Sequence, residues 1–325
     1  MKTAALKTAF LFPGQGSQCV GMGRDLYAAY PGCQSLFHEA DRILGLELSH
    51  LAFHGPGEKL MLTEYAQPAI LMVSAALDSL LRAGGIVPDY VAGHSLGEYS
   101  ALVSAGSLSF TDAIRLVRRR GVLMEEAVPA GQGTMAAVLG LGLDAVEAVC
   151  REAAAATRAV VDVANINSPG QIVISGSKDA VLAAMELLKK AGARRVIPLA
   201  VSGPFHSQLM LPVAEVFERH LRQAIFHDPK IPIVTNVGAK LVRRKDELEQ
   251  LLGRQIYSRV EWEASMRRLL ALGVERFIEV GPGRVLAGLM KKIDNKAVCH
   301  YVEDVQSLEK LFGRAGEVVE THGTL

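Results

Sequence analysis

The chain has 325 residues, half of them apolar, which suits one large domain with a smaller one inserted, or two domains. Its 35 basic and 34 acidic residues leave a net charge of +1, so no global field draws it to nucleic acid or to an anionic membrane. The four cysteines (Cys19, Cys33, Cys150, Cys299) lack CxxC or Cys/His metal spacing and read as free thiols in a reducing compartment, and no run reaches the roughly 18 apolar residues of a membrane span.

The N-terminal MKTAALKTAFLFPGQGSQ has the lysine and short apolar run of a signal peptide. The run breaks at Pro13-Gly14 and continues into structured sequence, so the expected location is the cytoplasm. Residues 8–12 read as a buried strand, stopped by Pro13-Gly14-Gln15-Gly16, where glycine permits positive φ. Amphipathic helical stretches follow to about residue 83, including 67–81. Residues 90–92 end a second buried strand. It enters Gly93-His94-Ser95-Leu96-Gly97 and then an apolar helix to 105. A helix over 111–127 carries Arg118, Arg119 and Arg120. After a hinge at Gly131-Gln132-Gly133 the rhythm changes. Strand 135–139, helix 144–157, strands 160–166 and 171–175, helix 178–191 and strand 195–199 follow, with Asn167-Ser168-Pro169-Gly170 as the hairpin turn. That β-α-β-β-α-β order predicts a small ferredoxin-like subdomain inserted over 131–201. The large subdomain then spans 1–130 and 202–325. Its return includes the loop Ser202-Gly203-Pro204-Phe205-His206-Ser207 and strands at 231–236 and 275–280. The second of these is ended by Gly281-Pro282-Gly283 and a helix to 292. Strands alternating with helices predict an α/β fold with a mostly parallel sheet covered on both faces. The last dozen residues, near Gly313, Gly316 and Gly323, read as a loose tail.

Gly93-His94-Ser95-Leu96-Gly97 matches G-x-S-x-G. In that motif a sharp strand-to-helix turn projects the serine oxygen at a helix N-terminus, as in an α/β-hydrolase-like core. A glycine-rich turn with an incidental serine fits the same pattern. A serine nucleophile needs a base. His94 adjoins Ser95, and neighbouring side chains at such a turn diverge. His38, His50, His54, His220 and His227 sit in polar or helical surroundings. His206 lies in a constrained loop returning to the core, and local pattern equally allows it as a helix-start residue. No GxGxxG, GxxxxGK[ST] or HExxH occurs, so the signatures of dinucleotide enzymes, P-loop NTPases and zinc proteases are absent. An esterase or thioesterase with the same serine would draw on a carboxylate such as Asp112, Asp144, Asp162 or Asp179, none in a recognisable post-strand context.

Several segments together resemble one family, the malonyl-CoA:acyl carrier protein transacylases of fatty acid synthesis, which are related to polyketide synthase acyltransferase domains. They are Phe12-Pro13-Gly14-Gln15-Gly16-Ser17-Gln18, Gly93-His94-Ser95-Leu96-Gly97-Glu98-Tyr99, Arg120-Gly121, Asn165-Ile166-Asn167-Ser168-Pro169-Gly170-Gln171, Gly203-Pro204-Phe205-His206-Ser207 and Glu279-Val280-Gly281-Pro282-Gly283. The resemblance implies Ser95 as nucleophile, His206 as its base, and the main-chain carbonyl of Gln255 in the third triad place. It implies an oxyanion hole from the N–H groups of Gln15 and Leu96, and Arg120 as the grip on the malonyl carboxylate. Phe205 would wall the pocket and favour malonyl over branched units. The partners implied are malonyl-CoA and acyl carrier protein. No metal or redox cofactor is called for, no nucleic acid or membrane is expected as a partner, and a monomer is expected. One departure is Ser258-Arg259, where the family pattern has Ser-Pro. Arg118, Arg119 and Arg120 point about 100° apart on a helix, so they cannot share one face. Asn165 and Asn167 are expected to hold the small subdomain's hairpin.

Overall fold

The computed structural model describes residues 6–129, 131–201 and 203–320, with the side chains of 314–320 left aside. The start of the signal-like segment (residues 1–5), the boundary residues Ala130 and Ser202, and the tail from Thr321 to Leu325, with Gly323, lie outside the described residues.

Among the described residues, ten strands form two sheets. They are β1 (Thr8–Phe12), β2 (Tyr90–Gly93), β3 (Gly133–Leu139), β4 (Val161–Ser168), β5 (Gln171–Ser177), β6 (Arg195–Pro198), β7 (Ile233–Val234), β8 (Leu241–Val242), β9 (Arg276–Val280) and β10 (Val298–Val302). The larger sheet has the order β10-β9-β1-β2-β7-β8, with every pair parallel except the β7–β8 hairpin. β1 is a continuous apolar run because both of its faces are covered. Phe10 and Phe12 enter the main core, and Ala9 and Leu11 enter a second core beneath the opposite face. Helices Thr63–Ala83 and Phe110–Glu125 supply the first side, and Trp262–Ala271 and Val285–Ile293 the second. From β1 the chain proceeds to β2 on one side, and from β9 to β10 on the other. Such a divergence opens a crevice at the carboxyl ends of the strands.

The second sheet, order β4-β5-β3-β6, is antiparallel throughout. Alternation along β3 sends Ala136 and Val138 into a core with helices Leu143–Thr157 and Lys178–Lys190, while Met135 faces the main core. The edge strand β4 is stitched to the larger unit through main chain. Ile166 N–H donates to Val260 O at 2.9 Å, and Val260 N–H to Ala164 O at 2.8 Å. Beside this seam Arg259 pairs with Glu147 of the small unit at 2.8 Å and with Glu261 at 2.5 Å.

Three expectations change. The strand expected over 231–236 keeps only Ile233–Val234 in the ladder: Pro232 has no N–H to give, and Thr235 and Asn236 turn away to other partners. The hairpin turn is shorter than expected, since β4 runs to Ser168 and Gly170 takes φ 67°. Of the last dozen residues, expected to be loose, 314–320 instead end helix Val305–Glu320, whose Leu308 and Leu311, ahead of that stretch, recur at helical spacing and enter the main core. Leu308→Ala is therefore expected to cost about 2–5 kcal/mol in denaturant unfolding. An unchanged midpoint would mean that this helix does not support the fold.

Candidate active site

The turn after β2 folds as it does because two glycines let main chain meet main chain. A Cβ on Gly93 would lie 1.9 Å from Gly97 C, and a Cβ on Gly97 would lie 2.0 Å from Phe12 O. Gly14 is under the same constraint, its Cβ position being 2.5 Å from His94 O. Helix Gly97–Ser104 thus starts against the end of β1, and Ser95 is forced to φ 51°, a region most side chains avoid. Asn236 staples the strained turn. Its Oδ1 accepts from Ser95 N–H at 2.7 Å and its Nδ2 donates to Gly93 O at 2.6 Å.

His206 faces Ser95 from the opposite wall, also at positive φ, 61°. Its Nε2 lies 2.8 Å from Ser95 Oγ. Its Nδ1 lies 2.9 Å from Gln255 O and 3.1 Å from Ser258 O. Both partners are carbonyls and only accept, so the proton sits on Nδ1 and Nε2 offers its lone pair to the serine hydroxyl. Gln255 ends helix Lys245–Gln255, where no further helical N–H reaches its carbonyl, and Ser258 lies three residues beyond. The same end also takes the His206 main chain, whose N–H donates to Ile256 O at 3.2 Å. Burial first, then the Arg120 charge, push the His206 imidazole down to about 3, against the partial opposition of Gln255 O.

Arg120 is 1% exposed although it is charged. Its Nη1 donates to Gln67 Oε1 at 2.9 Å, and its Nη2 to Gln255 Oε1 and to Ser95 Oγ, both at 3.1 Å. The Tyr99 ring lies 5.6 Å from the guanidinium carbon. Arg120 Nε has no protein partner among the described residues. Arg118 instead pairs with Glu64 at the surface, and Arg119 is exposed. Ser95, His206 and Arg120 line one cavity of about 390 Å³, together with Gln15, Phe205, His94 and residues of β3 and β5. A hydroxyl, a neutral imidazole set to take its proton, and a buried cation beside both form a site for attack on an acyl carbon whose substrate carries an anion.

An acyl transferase domain model matches residues 9–311. The malonyl CoA-acyl carrier protein transacylase of Bacillus subtilis is 49% identical over 93% of this chain and 95% of that protein. The chain belongs to the malonyl-CoA:acyl carrier protein transacylase family. The crystal structure of an acyl carrier protein S-malonyltransferase from Vibrio cholerae superposes with a TM-score of 0.91 at 45% identity, covering 94% of this chain and 99% of that one. A malonyl-transacylase solved in complex with a type II PKS acyl-carrier protein gives 0.92 at 43% identity, covering 95% and 99%.

Against that family pattern, the remaining residues singled out from sequence fall as follows. Phe205 is buried on the cavity wall. The main-chain N–H groups of Gln15 and Leu96 meet no protein acceptor among the described residues, and the Gln15 side chain donates to Thr63 Oγ1 at 3.1 Å. Asn167 does not serve the hairpin. Its Oδ1 lies 2.8 Å from His94 Nε2, because β4 carries it across the cavity to the larger unit. Asp162 accepts from Gln208 N–H, and no carboxylate meets His206 Nδ1 among the described residues. Three residues of the site escaped the sequence reading. Glu98 adjoins the serine motif, and Gln67 is a lone amide in the apolar run Ala66 to Leu71; Asn236 carries no local signal.

The depressed basicity of His206 has a sign that can be checked. The unfolded chain takes a proton on this ring near pH 6.5, and the folded chain refuses it until about pH 3. His206 therefore subtracts stability as pH falls through that window and subtracts none above it. Ring-nitrogen NMR of labelled protein is expected to show the Nδ1–H tautomer unchanged from about pH 8 to pH 5. A His206 titration midpoint near its ordinary value would refute the arrangement.

Proposed function

We propose that this chain transfers a malonyl group from malonyl-CoA to the phosphopantetheine thiol of acyl carrier protein, through a malonyl ester on Ser95. The observation that carries the reading is Arg120, whose buried guanidinium lies 3.1 Å from the Ser95 oxygen in the same cavity as His206. As Ser95 Oγ attacks the thioester carbonyl, His206 Nε2 takes its proton. The oxyanion faces the free N–H groups of Gln15 and Leu96 at the N-terminal end of helix Gly97–Ser104. The tetrahedral intermediate collapses, and coenzyme A leaves with the proton from His206. The carrier thiol then gives its proton to His206, attacks the ester, and Ser95 recovers the proton as it leaves. The imidazolium formed in each half faces the carbonyl end of helix Lys245–Gln255, where the macrodipole is negative. That end takes the part a carboxylate plays in a hydrolase triad.

Both carriers end in the same arm, so one channel serves both. We read residues 1–130 and 202–325 as an α/β-hydrolase-like catalytic unit and 131–201 as a ferredoxin-like one, on the strand orders given above, acting as a monomer in the cytoplasm. The carrier is acidic, and a basic rim lies where it would approach. Lys292 donates to Gln171 at 2.7 Å at the cavity edge, and Arg195 lies two strands away in the same register through Leu139. Lys291, Lys292, Arg194 and Arg195 are all exposed there. Lys189, by contrast, is paired with Glu186.

Malonyl-CoA alone is expected to add one malonyl group to Ser95, detectable by intact mass and peptide mapping, and Ser95→Ala to add none. Labelling of a cysteine would end the proposal. Arg120→Ala is expected to lose about 2 to 5 kcal/mol of malonyl selection, roughly one and a half to nearly four powers of ten in kcat/KM. Acetyl transfer should fall much less. Equal losses for the two thioesters would assign Arg120 to the fold or to coenzyme A. Charge reversal at Lys292 and Arg195 is expected to weaken use of the carrier in a salt-dependent way while sparing acylation by malonyl-CoA. If the rate with carrier is unchanged, docking lies elsewhere.

A further inference from the structure

Arg120 is held by two side-chain amides, and an amide has two chemically different ends. Gln255 stands between a group that can only donate, Arg120, and groups that can only accept. Its Nε2 donates to Glu98 Oε2 at 2.5 Å and to Ser95 O at 2.9 Å, while its Oε1 accepts from Arg120 Nη2 at 3.1 Å. Turned over, the amide would set NH2 against guanidinium and a carbonyl against a carboxylate. Glu98, which makes the shortest of these contacts, therefore fixes which end faces the arginine together with Ser95 O. It is 1% exposed, in the first turn of helix Gly97–Ser104, and its Oε2 also accepts from Asn236 N–H at 3.3 Å. It is thus joined to the residue that staples the serine turn. Glu98 makes no direct hydrogen bond or ion pair with Arg120 among the described residues, so the guanidinium keeps its charge for a substrate. Burial raises the Glu98 carboxyl to about 7, against the lowering effect of Gln255, Asn236 and Arg120, so it is a pure acceptor only where it is ionised, above that pH.

We propose that Glu98 is a positioning residue for acyl selection, locking the Gln255 amide so that its oxygen holds one prong of Arg120 toward the acyl pocket. The proposal rests on the reading of Arg120 as the partner of the malonyl carboxylate. Glu98 itself touches neither substrate nor the reacting atoms. Its effect must pass through Arg120, and that separates it from a residue that merely supports the helix.

The experiment is a double-mutant cycle between Glu98→Gln and Arg120→Ala, read as kcat/KM for malonyl-CoA and acetyl-CoA. Ser95 labelling by a small fluorophosphonate serves as the control. Glutamine keeps the volume of Glu98 and can present either end to Gln255, so the lock is weakened to what Ser95 O and Arg120 still provide. Glu98→Gln alone is expected to lower the malonyl-to-acetyl ratio by about tenfold or more, with fluorophosphonate labelling within about twofold of wild type. In the Arg120→Ala background the same change is expected to alter malonyl transfer by less than about twofold. Gln255→Met deletes the amide and keeps the main-chain carbonyl on His206. It reads the lock from its other end and is expected to give the same shift in ratio. A wild-type ratio in Glu98→Gln or in Gln255→Met overturns the proposal. So does an equal loss from Glu98→Gln in both backgrounds, or a matching loss of fluorophosphonate labelling. If wild type transfers no malonyl, or Arg120→Ala keeps the wild-type ratio, the functional reading fails instead.

Discussion

A guanidinium taken out of water costs several kcal/mol unless its donors are met. Arg120 is met almost entirely by neutral groups: two amide oxygens, a hydroxyl and the face of a tyrosine. A carboxylate in direct contact would have solved the burial problem and cancelled the charge. The amides solve most of it and leave the charge in place. The surroundings follow from that choice. His206, buried and beside an uncancelled cation, stays neutral and keeps its Nε2 lone pair toward Ser95. Its own partners are carbonyls at a helix end, and these add no full negative charge that would draw Arg120 aside or repel an acidic acyl group.

Ser95 and His206 repeat a single physical device with opposite sign. Ser95 stands before the first turn of one helix, where main-chain N–H groups are free, and His206 leans on the last turn of another, where carbonyls are free. In the proposed mechanism, negative charge develops at the first and positive charge at the second. Both residues sit at positive φ and are held there by contacts made elsewhere, through Asn236 for one and Ile256 O for the other.

Much of this was legible in the chain. β1 and the serine turn are local, written in a short apolar run and in glycines whose necessity the close approaches explain. Helical geometry allowed only part of the Arg118 to Arg120 run to face inward, but which arginine did so came from the family resemblance. The partners of these residues were not legible. Asn236 lies 141 residues from Ser95, and Gln67 lies 53 from Arg120. An amide's role depends on what the fold brings opposite it. The C-terminal helix was missed for a different reason: glycines in its sequence outweighed a short apolar stripe whose burial only the finished core supplies.

The seam between the two sheets gives the site a mechanical property. Val260, bonded on both sides to β4, is two peptide units from Ser258, whose carbonyl helps fix the His206 tautomer. Arg259, where the family has proline, adds its clamp to Glu147 within that span. The strand β4, whose Asn165 and Asn167 line the cavity, and the main chain that orients the His206 ring are thus tied through one seam. Prising the small unit outward to admit a bulkier acyl group would slacken the imidazole at the same stroke, so tolerance of size and vigour of proton transfer are geared against each other.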